Sequence, residues 1–242
     1  MIVFRKIRTF GYNFVHPVRA EIWLLHSITN EFSKDFGLHQ CEVTPSYLEK
    51  IITDALSSGF EFISVDGFYD IYVSNQGEIS RKKHYIVVTL DDGYRNVYDV
   101  AYPIFKKYDI PFCLFISPAL LTGEAKVSET EPKEMMTIEQ LQLISKSSLC
   151  TVGSHAISHQ ALSKMPIELQ KQELEKSKAD LEKMVGSPVR FLAYPLGDYD
   201  AETITVAKSV GYDMAFAAWG GCLRSGVGYD KYALPRRIIF DK

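Results

Sequence analysis

Two short segments carry side chains of the kinds and spacing that support metal-assisted hydrolysis. In the first, an apolar run ends abruptly in Asp91-Asp92-Gly93-Tyr94. Neighbouring strand residues point in opposite directions, but at a strand terminus both carboxylates can turn toward one opening. Two anions held that close repel each other and need a cation or a shared proton. A bound metal would meet that need: one Asp ligates it and the other stays free as a base. Read alone, the triplet is as compatible with a surface turn. In the second segment, Gly153-Ser154-His155-Ala156-Ile157-Ser158-His159, two histidines stand four residues apart. Across a helical turn they would face the same way and could chelate one ion, although such pairs also arise incidentally. Together, Asp, His and His supply the three protein ligands usual for a catalytic zinc with an open position. Water at that position is acidified toward neutrality, and the spare Asp can take its proton during attack.

Stepping outward, the elements that must position these residues alternate in type. Short runs rich in Val, Ile, Phe and Leu read as buried strands at residues 21–26, 60–65, 85–90, 112–116, 149–153, 190–194, 214–217 and 234–239. Between them lie helical patterns. One runs from Pro45 to about Ser58 behind Thr44 as N-cap, and another from Asn96 to Tyr108, ended by Asp109-Ile110-Pro111. A third, from Thr137 to about Lys146, opens on a capping-box sequence; the last two, 166–185 and 201–210, stop at Gly186 and Gly211. This alternation predicts a parallel sheet covered by helices, and so many strands favour a closed or nearly closed barrel over an open sheet. Residues 66–84 and 122–136 hold no clear period and are expected to be long surface loops. His26, Asp91, Asp92, His155 and Tyr194-Pro195 all fall at or just after the C-terminal ends of predicted strands, the rim on which parallel barrels build active sites.

Bulk properties set the outer bounds. The 242 residues are 46% hydrophobic and 24% charged, with a formal net charge of -3. That is ordinary for a globular domain and gives no electrostatic reason to expect nucleic acid or an anionic membrane as partner. A single domain over residues 1–242, with its core at about 20–240, is expected. Residues 1–14 lack the apolar stretch and cleavage site of a secretory signal, and no run is long enough to span a bilayer, so a cytoplasmic protein is expected. Cys41, Cys113, Cys150 and Cys222 are scattered and read as structural, Cys113 and Cys150 as buried small hydrophobes. His16, His39 and His84 read as ordinary polar residues. Trp219 is expected chiefly in core packing, with a role in walling an acetyl pocket as the alternative. Tyr194 and Tyr199 could line a sugar site. Oligomeric state is not encoded legibly.

Thr-Leu-Asp-Asp-Gly-Tyr followed by Ser-His-x-x-x-His resembles the polysaccharide deacetylase family, or NodB-homology domain (carbohydrate esterase family 4). The resemblance runs from near Ile22-Trp23-Leu24-Leu25-His26 to Leu234-Pro235-Arg236. It implies a distorted (β/α) barrel, complete or incomplete, of about seven parallel strands. By the family's pattern Asp91 is the general base. Asp92, His155 and His159 hold a divalent metal, usually zinc, with cobalt or nickel as alternatives. Attack of the metal's water on an acetamide would release acetate and a free amine from an N-acetylated polysaccharide or oligosaccharide, the oxyanion being stabilised by the metal and a backbone N–H.

Two departures from the pattern matter. The family's third motif usually reads Arg-x-Pro-Tyr/Phe-Gly, whereas this chain has Ala193-Tyr194-Pro195-Leu196-Gly197. The oxyanion N–H would then belong to Leu196. The arginine that steadies the base is missing, and Arg236 is the candidate replacement; a solvent-facing arginine pair is the alternative, as compatible with Arg237 and less so with Arg236. No histidine follows His159 to act as general acid. His26 is the candidate, resembling the permuted arrangement of biofilm poly-N-acetylglucosamine deacetylases, although Leu25 stands where those have Tyr. A structural role for His26 remains the alternative. The competing functions are an O-acetyl esterase, a small-molecule amidohydrolase, and an inactive glycan-binding module. The last would have no need of the retained Asp91.

Overall fold

The strand that carries the two carboxylates alternates strictly. In β2 (Tyr85–Asp92), Tyr85 and Val87 join one apolar cluster, while Ile86, Val88 and Leu90 join another. One face points into a barrel and the other toward surrounding helices. The computed structural model describes residues 18–34, 42–77, 83–128, 131 and 133–241. His16, His39 and Cys41 lie outside the described residues.

Seven parallel strands make the barrel. They are β1 (Val18–Leu25), β2, β3 (Phe112–Ile116), β4 (Cys150–Ser154), β5 (Phe191–Ala193), β6 (Met214–Gly220) and β7 (Leu234–Ile238). Each pairs with the next in chain order, and β1 pairs with both β2 and β7, which closes the ring. The expected fold class is therefore found, and its closed form. Around the barrel lie α1 (Pro45–Ser57), α3 (Tyr102–Tyr108), α4 (Pro118–Thr122), α5 (Ile138–Ile144), α6 (Ile167–Val185) and α7 (Ala201–Val210). Leu48 and Ile52 of α1, Leu141 and Ile144 of α5, Leu174 and Leu181 of α6 and Val206 of α7 join the outer cluster with Val88, Leu90, Leu114 and Leu192. Thr44 caps α1, and the reciprocal capping box at Thr137 and Gln140 opens α5.

Three local expectations are corrected. Residues 66–84 are not simply a loop, because α2 (Val65–Ser74) starts there, capped by Ser64, which accepts from the Gly67 N–H at 3.0 Å. Val65, Phe68 and Tyr72 recur at helical spacing and enter the barrel-lining cluster with Ile22, Val87, Phe115 and Phe216. The strand expected at 60–65 shrinks accordingly to Glu61–Phe62. The helix expected at 96–108 contains a π-helical turn over Val97–Ala101 before α3. Pro103 has no N–H to give the carbonyl four residues back, so the regular ladder cannot pass it. Cys113 is buried, but Cys150 is only partly so. Among the described residues, no helix is long and apolar enough to cross a membrane.

Candidate active site

The C-terminal ends of the strands open onto a cavity of about 340 Å³. Its lining includes His26, Asp91, Asp92, His155, His159, Leu196, Trp219 and Arg236. All seven residues singled out from the sequence as site residues thus meet at one opening.

Asp91 continues the inward-facing column of β2, and the period of the strand would turn Asp92 away from it. Instead Asp92 adopts φ 73°, a left-handed conformation that reverses its direction and brings it to the same mouth. The guanidinium of Arg236, 1% exposed, projects inward from β7. It donates to Asp91 Oδ1 at 2.8 Å and Oδ2 at 2.7 Å, a bidentate pair. It also donates to the Ala217 carbonyl at 2.7 Å and to Thr89 Oγ1 at 3.1 Å. Burial alone would raise the pKa of Asp91, but the Arg236 charge and hydrogen bonds, together with the neighbouring imidazoles, outweigh it and hold the carboxyl below its usual value. Arg237, the next residue, points outward and pairs with Glu21 at 2.6 Å.

Asp92 Oδ1 is buried and accepts no hydrogen bond of good geometry. Its neighbours are His159 Nε2 at 3.1 Å and His155 Nε2 at 3.6 Å. The three potential ligand atoms lie within 4.8 Å of one another. His155 Nδ1 donates to the Ala193 carbonyl at 2.8 Å, which leaves the Nε2 lone pair directed at the cluster. Burial pushes the pKa of His155 down to about 4, so it is the neutral, ligating form that prevails near neutrality. Burial would lower His159 too, but the adjacent Asp92 carboxylate raises it. Burial pushes Asp92 up, but the His159 charge and contact, with His26 and His155 adding to them, reverse this, so its carboxyl sits well below the usual range. One anion and two imidazoles around an otherwise unserved buried oxygen fit a divalent cation of the zinc type.

The two histidines do not share a helical face, as their spacing suggested. Residues 155–159 form an irregular turn in which Ala156 and His159 have φ of 55° and 56°. Leu196 also has a positive φ, 58°, and sits 61% exposed at the cavity edge. Trp219, expected chiefly in the core, is 62% exposed and walls the cavity, because β6 runs past the packed part of the barrel at this point. Gly197 makes that placement possible: a Cβ there would stand 2.6 Å from Ala218 Cβ and 3.0 Å from the Trp219 indole nitrogen. Tyr194 lines the cavity and stacks on Tyr199 at 4.7 Å, with its hydroxyl given to the Tyr232 carbonyl. His84 contacts Arg19, away from the site.

Sequence reasoning missed two polar residues around the site. The Asn96 side chain donates to Ser27 Oγ at 2.8 Å and accepts from the Ile28 N–H at 3.2 Å, fixing the chain just after His26. Glu173 of α6 accepts from the N–H groups of Ile157, at 3.0 Å, and Ser158, at 2.9 Å, between the two histidines. Neither belongs to a motif; their partners are backbone groups and one hydroxyl at other places in the chain.

A closed seven-stranded parallel barrel with an Asp-His-His cluster that could hold a metal, and a second, arginine-bound carboxylate at its C-terminal mouth, defines the class of this fold and site. The profile of the polysaccharide deacetylase family matches residues 78–215, and the chain belongs to that family. YxkH of Bacillus subtilis (strain 168) is 28% identical over 151 residues, 62% of this chain and 50% of its own. The poly-beta-1,6-N-acetyl-D-glucosamine N-deacetylase of Staphylococcus aureus (strain MRSA252) is 26% identical over 234 residues, 93% of this chain and 77% of its own. The chain thus spans half the length of the first of these relatives and about three quarters of the second. Among solved structures, Streptococcus pyogenes deacetylase PplD in complex with acetate superposes with a TM-score of 0.77 at 24% identity, covering 93% of both chains. IcaB from Ammonifex degensii follows with 0.75 at 21%, covering 92% of both. These two likenesses establish the fold.

Proposed function

We propose that the chain is a divalent-metal-dependent N-deacetylase of an N-acetylated glycan, with polymers of N-acetylglucosamine as its substrate class. The observation that carries this reading is the division of labour between adjacent carboxylates. Asp91 is clamped by Arg236, while Asp92 Oδ1 faces His155 and His159. A binding module would need neither the spare acid nor its buried guanidinium. The staphylococcal relative, aligned over 93% of this chain, favours a β-1,6-linked polymer as the first substrate to test.

Asp92, His155 and His159 would hold the cation, most simply zinc. When bound, it supplies Lewis acidity that draws charge onto the acetamide oxygen. Asp91 accepts the proton of the attacking water, and Arg236 keeps that carboxylate ionised and aimed. The Leu196 N–H, presented by a left-handed turn, donates to the developing oxyanion. His26, on the same cavity wall, protonates the departing amine. Water plus acetamide gives acetate plus the free amine, so atoms and protons balance. Residues 1–242 act as one catalytic domain.

The test is acetate release from β-1,6-linked and β-1,4-linked N-acetylglucosamine oligomers and from acetylated xylan. The expected result is release from an N-acetylated glycan that a chelator abolishes and added zinc restores. Release from xylan alone would transfer the chemistry to an ester, and no release from any substrate with zinc bound would reject it.

A further inference from the structure

The turn that presents both histidines is held by a series of bonds to its backbone. The His155 N–H goes to the Ile116 carbonyl at 2.9 Å, and the His155 carbonyl accepts from Ser117 Oγ at 2.6 Å. The Ala156 N–H reaches Ser154 Oγ at 3.3 Å, itself 2.8 Å from Ser177 Oγ of α6. The Ile157 carbonyl accepts from Ala119 N–H at 3.2 Å. Two consecutive donors, Ile157 and Ser158, converge on one oxygen of Glu173. Glu173 and Ser177 stand one helical turn apart and so address the turn from the same side of α6. The turn needs such a hold, because two non-glycine residues in it, Ala156 and His159, occupy left-handed conformations that the chain does not favour unaided.

We propose that Glu173 is a positioning residue for the metal site: its carboxylate clamps the Ile157–Ser158 peptide so that His155 and His159 face the same cation. This rests on the reading of Asp92, His155 and His159 as metal ligands. Glu173 touches neither the cation nor the substrate. It acts on the backbone between the ligands, in the way that partners of ligating side chains set affinity elsewhere. Charge-assisted bonds from two adjacent amides are strong enough to select one backbone conformation over its alternatives.

The experiment measures zinc affinity of the whole chain by competition with a chromogenic chelator, together with thermal melting of the zinc-free protein. Glu173→Ala should weaken zinc binding by about 10- to 100-fold, with little change in the zinc-free melting temperature, since alanine suits a helix. Glu173→Gln, which keeps an acceptor oxygen at the same reach, should recover affinity to within about threefold of the parent. Glu173→Asp, one methylene short, should behave like the alanine variant and serves in its place if that one does not fold. At saturating zinc, KM for the glycan should be unchanged in all of them. Parental affinity in folded Glu173→Ala would overturn the clamp, as would a fall in zinc-free stability with affinity unchanged, or a glutamine variant as weak as alanine. A parent protein that binds no zinc would instead overturn the metal reading on which the clamp rests.

Discussion

The two ends of the barrel are built on different terms. At the N-terminal end, α2 inserts Val65, Phe68 and Tyr72 into the interior, the first two wholly buried. Its charged groups stay partly exposed: Arg190 pairs with Asp66 at 2.7 Å and Asp213 at 2.6 Å. At the C-terminal end the buried groups are Asp91, Asp92, His155 and Arg236. Four of the six positive-φ non-glycine residues among those described, Asp92, Ala156, His159 and Leu196, also lie there. One end closes the core with apolar volume. The other holds charge and unfavourable backbone in place around the candidate active site.

The contrast can be broken or sharpened by substitution at each end. The largest effect is expected from Asp91→Asn, which keeps the shape but removes the base. Acetate release should fall by about 10²–10⁴-fold, with zinc binding retained. Normal turnover would remove Asp91 from the reaction. Arg236→Met should cost both properties, because it leaves Asp91 buried without its partner; a loss of about 3–5 kcal/mol is expected in denaturant unfolding, with reduced turnover in whatever remains folded. A stable and fully active variant would show the clamp to be dispensable. Phe68→Ala, at the opposite end, should destabilise by about 3–5 kcal/mol through the cavity it leaves. Its kcat/KM, measured well below the melting temperature, should stay at the parental value. A drop there would mean that the ends are not independent. The smallest effect is expected from Trp219→Ala, which should raise KM about fivefold, equivalent to roughly 1 kcal/mol of ring contact. Its melting temperature should not move, and an unchanged KM would remove the ring from substrate binding.

How far the chain could be read in advance follows the same division. The mouth of the barrel was legible because its residues are chemically distinctive and Asp91 and His155 close apolar runs of strand length, while Arg236 is a charge set inside one. The plug was not, since the aromatic and branched residues between Phe68 and Val73 suit strand as well as helix, and only burial shows which period operates. The histidine spacing brought the two imidazoles together as expected but through a different local structure: a backbone-bonded turn does what a helical turn was expected to do. Asn96 and Glu173 gave no signal, because a side chain that serves remote amides has no partner visible in the sequence. Trp219 misled because a hydrophobic residue at the end of an apolar run reads as interior, and nothing in the letters marks where a strand outruns the core.

The left-handed peptide at Asp92 sets stability and ligation against each other at a single position. Glycine would relieve the torsion and delete the ligand. Asparagine, which tolerates that torsion, would keep the path of the chain and lose the anion. A sequence drifting toward an easier fold here would arrive at a barrel that melts later but has lost one of the three side chains proposed to grip a cation.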